Sequence, residues 1–402
     1  LPTTIAIVGC LDTKGHEVDY LRQRIEAAGC ATWVVDVGVL GDSTAAAQTS
    51  REAIAEAGGS TLSALREKND RGHAMTVMSQ GAAKIVRGLF DEGKIDGIIA
   101  AGGSANTTIG SAAMQTLPVG FPKVLVSTLA SGDVSPYVDT KDITMMYSVV
   151  DIAGINRISA RVLANAAHAV AGMATFVAPQ MADSRPLIAA TMFGVTTPCV
   201  TEARKVLEDA GYEVLVFHAT GTGGRAMEGL IEDGFIAGVL DITTTELADE
   251  LVGGILSAGP RRLTVAGALG IPQVVSTGAI DMVNFGPVDS VPAPFRDRQL
   301  YKHNSTVTLM RTTPEECEEI GRRIATRLSE SKGPVKVFLP LGGVSMIATE
   351  GQPFCAPEAD ERCFAAIRSS IAEGIEVIDV KTDINDPEFA RGCANALLEM
   401  MK

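Results

Sequence analysis

Ile5-Ala6-Ile7-Val8-Gly9, then Glu17 to Ala28, then Gly29, then Ala31-Thr32-Trp33-Val34-Val35-Asp36 decide the fold. The first run is a short apolar strand that ends on a glycine. In the second, Val18, Leu21 and Ile25 recur at helical spacing, and Gly29 is placed to end the helix. The third run is another strand. Strand, helix and strand in quick succession form a βαβ unit, and such units build parallel sheets.

The pattern returns after residue 186, with Leu187–Ala190 as strand, Thr201–Ala210 as helix, Gly211 as cap and Val214–Phe217 as strand. A shift of 182 residues aligns Val18 with Val200, Arg22 with Arg204, Gly29 with Gly211 and Val34 with Val216. Further on, the shift that works is 141, pairing Gly88 with Gly229, Gly93 with Gly234 and Gly97 with Gly238. The two shifts differ by 182 − 141 = 41, so the first half carries an insertion of that size, at about 40–80. The expected architecture is α/β, with two Rossmann-like, doubly wound domains, mainly parallel sheets and an internal duplication. Domains of 1–182 and 183–402 follow from the proline-bracketed stretch Pro179 to Pro186. A long helix over Val149 to Thr175 is expected to close the first.

Composition agrees with this and excludes several functions. A chain of 402 residues has room for two or three domains. With 41 glycines and only 4% aromatic residues, an aromatic-rich β-sandwich is disfavoured. The net charge of −14 leaves no basic footprint for nucleic acid or an anionic membrane. Val162 to Ala178, the most apolar longer stretch, is short for a membrane span and contains Asn165 and His168. Seven scattered cysteines without a Cys-x-x-Cys pair point to a reducing, cytoplasmic setting, and no signal peptide is visible.

The chemistry concentrates after Ile98-Ile99-Ala100-Ala101, where the chain continues Gly102-Gly103-Ser104-Ala105-Asn106-Thr107-Thr108. A buried strand, two glycines and a helix start place free N–H groups at the carboxyl edge of the sheet, where a phosphate can approach. Gly102, Gly103, Ser104, Asn106 and Thr107 are the expected phosphate ligands; a tight turn with ordinary N-capping is the plain alternative. The loop Gly9-Cys10-Leu11-Asp12-Thr13-Lys14 ends the first strand, so Thr13 and Lys14 are candidates for the same anion. Asp36, ending the second strand, has the position of a ribose partner, and Ser127 ends a later one. In the second half the corresponding loop reads Ile242-Thr243-Thr244-Thr245-Glu246 and has lost both glycines. Its polar candidates are Glu246, Asp281 and His303, with His303 as acid or base. The same three could hold a divalent cation, although no metal motif is present.

Ile7 to Gly15, the Arg71 to Gly81 segment, Gly102-Gly103-Ser104, Gly278 to Gly286, Tyr301-Lys302-His303-Asn304 and Leu339 to Ser345 occur in order along the chain. Together they resemble the family formed by the ATP-binding N-terminal domain of the tomato mosaic virus resistance protein and its bacterial relatives. The resemblance implies two Rossmann-like domains, a homodimer and a nucleotide in the first domain, ATP with or without Mg2+, with Arg71 as a further counter-charge. The plant protein's larger C-terminal extension lies beyond the match, so no viral partner is carried over. Two other readings stay open. One is a small-molecule metabolic enzyme with substrate in the interdomain cleft and His303, Asp281 and Glu246 at work. The other is a non-catalytic dimeric scaffold.

Overall fold

The structure is a computed structural model that describes residues 2–176 and 185–402. The chain divides into two compact units, Leu1–Gln180 and Met181–Lys402. The expected boundary at 182/183 lies outside the described residues.

Unit 1 runs β1 (Thr4–Gly9), α1 (Leu11–Ala27), β2 (Ala31–Asp36), α2 (Arg51–Ala57), α3 (Leu62–Lys68) and α4 (Arg71–Asp91). It continues β3 (Gly97–Gly102), α5 (Ser104–Gln115), β4 (Lys123–Ser127), α6 (Ser135–Val138), β5 (Thr144–Tyr147) and α7 (Arg157–Thr175). Its five strands are all parallel, in the order β2-β1-β3-β4-β5. Side chains alternate across the pleat. Ile5, Ile7, Ile99 and Ala101 pack on α1 and α7 on one face, while Ala6, Val8, Ile98 and Ala100 pack under α2 to α5 on the other. The sheet is therefore doubly wound.

Unit 2 opens the same way, with β6 (Leu187–Met192), α8 (Thr197–Asp209), β7 (Glu213–His218), α9 (Thr222–Glu232), β8 (Ile236–Thr243) and α10 (Thr245–Val252). Then come α11 (Val265–Leu269), β9 (Gln273–Gly278), β10 (Met282–Phe285), β11 (Leu300–Lys302), β12 (Thr308–Arg311) and α12 (Pro314–Ser329). The unit ends with β13 (Val335–Pro340), α13 (Pro357–Ser370), β14 (Glu376–Val380) and α14 (Pro387–Met400). Six strands form a parallel sheet, β14-β13-β9-β8-β6-β7, so the 2-1-3-4-5 order recurs with one strand added. A small antiparallel sheet, β10-β12-β11, is attached to it in sequence. The sequence reading did not anticipate it.

The shift of 182 lays β2 on β7 residue for residue, and the shift of 141 lays Gly81–Asp91 of α4 on α9. The insertion between them is α2, α3 and the first half of α4. The helix expected from Val149 starts instead at Arg157, because Asn156 and Ser159 form a reciprocal capping box there. Upstream, Val149 and Gly154 take left-handed backbone conformations that no helix accepts. Among the described residues no helix is long and apolar enough to cross a membrane.

Candidate functional site

In a 2-1-3-4-5 sheet the chain reverses direction between β1 and β3, and a crevice opens at their carboxyl ends. Here α1 leaves β1 toward one face and α5 leaves β3 toward the other. The loops Gly9-Cys10 and Gly102-Gly103 therefore border the same gap. At its edge α5 begins without a side-chain cap: Gly103 is the N-cap residue, with φ −82° and ψ −160°. The Thr107 amide bonds to the Gly103 carbonyl at 3.0 Å, whereas the amides of Ser104, Ala105 and Asn106 have no acceptor among the described residues. Three unsatisfied N–H groups at the positive end of a helix attract an anion.

A cavity of about 690 Å³ adjoins this point. Cys10, Asp12 and Thr13 line it from α1, Ala105 and Ile109 from α5, and Leu65, Met75 and Met78 from α3 and α4. The insertion thus forms its outer wall. Two of its lining side chains fasten the loop after β2. Asp12 Oδ2 accepts from the amides of Leu40 (2.8 Å) and Gly41 (3.3 Å). Arg66 donates to the carbonyls of Val39 (2.5 Å) and Gly41 (3.2 Å). Arg71, also in the lining, has no carboxylate partner among the described residues.

The structure separates the predicted unit 1 residues by task. Thr13 and Arg71 line the cavity, and Gly103 and Ser104 directly precede Ala105, which lines it from α5. Asp36 does not face a ribose: its buried carboxylate accepts from the amides of Leu11 (3.1 Å) and Gly38 (2.9 Å) and from the Ser43 hydroxyl. It holds α1 and the following loop in place. Asn106 is a strand clamp whose Nδ2 donates to Val8 O (3.2 Å) and Ala101 O (2.8 Å). Thr107 and Ser127 are buried and bond to each other at 2.7 Å. Gly102 is needed for packing, since a Cβ there would stand 2.6 Å from Asn106 Cβ. Lys14 points away from the cavity and donates to the Ile152 carbonyl. Burial, with Asp12 and Asp36 adding to it, pushes the Cys10 thiol up to about 12, which favours the thiol over the nucleophilic thiolate. Sequence reasoning missed Arg66, Met75 and Met78, which reach the cavity only through the insertion's path, and Ile109, which faces it from α5.

Unit 2 differs at the equivalent point. Arg262, fully buried, forks onto Asp241 (2.5 and 2.6 Å) and donates from Nε to Glu246 (2.6 Å), with Glu228 3.7 Å away. The other Glu246 oxygen accepts from the amides of Gly221 (2.7 Å) and Gly224 (3.0 Å), at the start of α9. An internal carboxylate from α10, the helix equivalent to α5, thus fills the start of α9, which the shift of 141 lays on the middle of α4. Every oxygen of Glu246 is engaged in a solvent-free network, which corrects its expected role as a reactive group.

Asp281 and His303 are not brought to it. His303 is exposed in the β11–β12 hairpin, its amide bonded to Val307 O at 3.1 Å. Asp281 is buried beside Arg311, which pairs with Asp360 at 2.6 Å; Asp281 Oδ2 accepts from Ser345 at 2.8 Å. The expected three-residue acid–base or cation site is therefore not assembled. Among the described residues no group of three His, Cys, Asp or Glu is placed to hold a metal.

Burial raises the Asp281 carboxyl to about 7; Asp360 adds to this and Arg311 opposes it. The folded protein then binds this proton more tightly than the unfolded chain. The associated stability is fully present below about pH 4 and is lost as pH rises toward 7. Asp281→Asn is expected to exceed wild type in urea stability at pH 8 by on the order of 2 kcal/mol, with the gap narrowing to less than half at pH 5. Urea titrations at the two pH values check this; a pH-independent gap contradicts it.

Residues 3–179 match the N-terminal domain, and residues 185–401 the C-terminal domain, of the uncharacterised protein family UPF0261. A UPF0261 protein of Clostridium tetani is 53% identical over 399 residues, covering 99% of each chain. One from Rhizobium meliloti is 45% identical over 394 residues, covering 98% of each. The tomato mosaic virus resistance protein Tm-1(GCR237) of Solanum lycopersicum is 43% identical over 338 residues, 82% of this chain but 45% of the plant protein. With both halves matched in order by the family's two domains, the chain belongs to the UPF0261 family.

Proposed function

We propose that this protein binds an adenine nucleotide, ATP, in the crevice of unit 1. The observation that carries the reading is the uncapped start of α5, with three free amides, where Ala105 lines a cavity of about 690 Å³. That volume lies within the ~300–1,000 Å³ common to small-molecule sites. Phosphate oxygens take the amides of Ser104 and Ala105, with Thr13 adding a hydroxyl and Arg71 a counter-charge. The base takes the apolar end among Leu65, Met75, Met78 and Ile109. Net charge is no obstacle, because the helix terminus supplies local positive potential within an acidic chain. The resemblance to the ATP-binding domain family supports the same ligand.

Arg71 provides the test. It sits exposed in the first turn of α4, so Arg71→Ala leaves folding intact. Loss of one charge-assisted contact is expected to weaken ATP binding roughly tenfold or more while leaving adenosine binding unchanged. Calorimetric titrations of both ligands measure the difference, and equal ATP affinity in the two proteins removes Arg71 from the site.

A further inference from the structure

We propose that Lys14 is a latch that reports occupancy of this crevice to residues 148–156; the inference rests on the nucleotide reading and concerns its regulation. α1 is broken at Lys14, whose φ of −131° and ψ of 19° are not helical. Before the break lie Cys10, Asp12 and Thr13, which line the cavity. After it lies the regular helix that packs on α7. Lys14 therefore occupies the joint between the ligand-facing turn and the body of the helix.

Its ammonium is parked on a weak partner. Nζ donates to the neutral Ile152 carbonyl and has no carboxylate within ion-pair distance among the described residues. Lys14 already acts electrostatically on the Cys10 thiol, which lines the cavity. A phosphate arriving at the α5 amides offers a charged acceptor, and charge-assisted bonds are roughly twice as strong as neutral ones. The ammonium moves to the ligand, and Ile152 loses its donor.

The far end is built to respond. Residues 148–156 are tied to α1 at two points, Lys14 to Ile152 O and Glu17 Oε1 to the Gly154 amide at 2.6 Å. Between Ser148 and Ile152, Val149 is held at φ 66°, a left-handed conformation that a β-branched residue resists. With the Lys14 tie gone, the Glu17 contact remains as a pin and the strained stretch before it is released.

Hydrogen exchange over residues 148–156 tests this, in wild type, Lys14→Met and Lys14→Arg, with and without ATP. Calorimetry of the same samples and far-UV circular dichroism as a folding check accompany it. In wild type, ATP is expected to speed exchange of the Val150 amide roughly fivefold, the effect of one lost hydrogen bond, while the Gly154 amide, still held by Glu17, stays protected. Lys14→Met should exchange fast with or without ATP and bind ATP roughly tenfold more weakly. Lys14→Arg should restore the ATP response. Heat of ATP binding with unchanged or slowed exchange in wild type overturns the latch alone. ATP affinity unaltered in a folded Lys14→Met also overturns it. No heat with ATP in wild type overturns the latch and the nucleotide reading together.

Discussion

Arg262→Ala is expected to cost 3–5 kcal/mol or more in urea stability at pH 8, on the order of what breaking a buried ion pair costs. The reason is what remains behind. Asp241 and Glu246 are buried and directly paired to the guanidinium, and Glu228 lies beside it. Without Arg262, three carboxylates share a solvent-free site with no cation. For a domain whose whole stability is of order 5–15 kcal/mol, that loss dominates. Arg262→Lys is not a rescue, because three guanidinium nitrogens are used at once and an ammonium cannot span Asp241 and Glu246. The deficit should shrink at pH 5, since burial already raises the Glu228 carboxyl and the orphaned acids then take up protons. A loss below about 1 kcal/mol contradicts the network's assigned role.

Gly103→Val is expected to do the opposite: little to folding and a great deal to the ligand. A Cβ at Gly103 meets only Thr128 Oγ1, at 3.8 Å, and the residue's φ is negative. Valine is sterically accommodated there, and stability should change by no more than about 1 kcal/mol. Its methyl groups, however, stand where a phosphate must approach the α5 amides. ATP affinity is expected to fall about 100-fold or more, as each amide contact to a charged oxygen contributes about 1.5–3 kcal/mol. Gly102 is unsuitable for this experiment, because a Cβ there collides with Asn106. Urea titration and calorimetry on one preparation separate the two effects. Unchanged ATP affinity in a folded Gly103→Val places the anion elsewhere.

Much of this was legible in the residues. The βαβ punctuation at Gly29 and Gly211 and the two unequal shifts located both sheets and the insertion, because strand and helix periods are local properties. The Gly102-Gly103 turn marked the crevice for the same reason. Hydrogen-bond assignment was not legible. Asp36 read as a ribose partner and Glu246 as a reactive carboxylate, yet their partners come from Leu11, Gly38 and Ser43, and from Arg262, Gly221 and Gly224. Only tertiary structure brings such groups together. Lys14 carried the right charge at the right strand end, but the direction of its side chain depends on a break in α1 that no periodicity announces. The β10-β12-β11 sheet was missed because its strands are three or four residues long, too short for alternation to stand out.

The central claim is that the start of α5 holds the phosphates of a nucleotide, and a crystal structure at saturating ATP tests it most directly. The account predicts phosphate oxygens about 2.7–3.2 Å from the amide nitrogens of Ser104 and Ala105, with the base among Leu65, Met75, Met78 and Ile109. Density for ATP away from α5, or a cavity left without it at saturating concentration, contradicts the account.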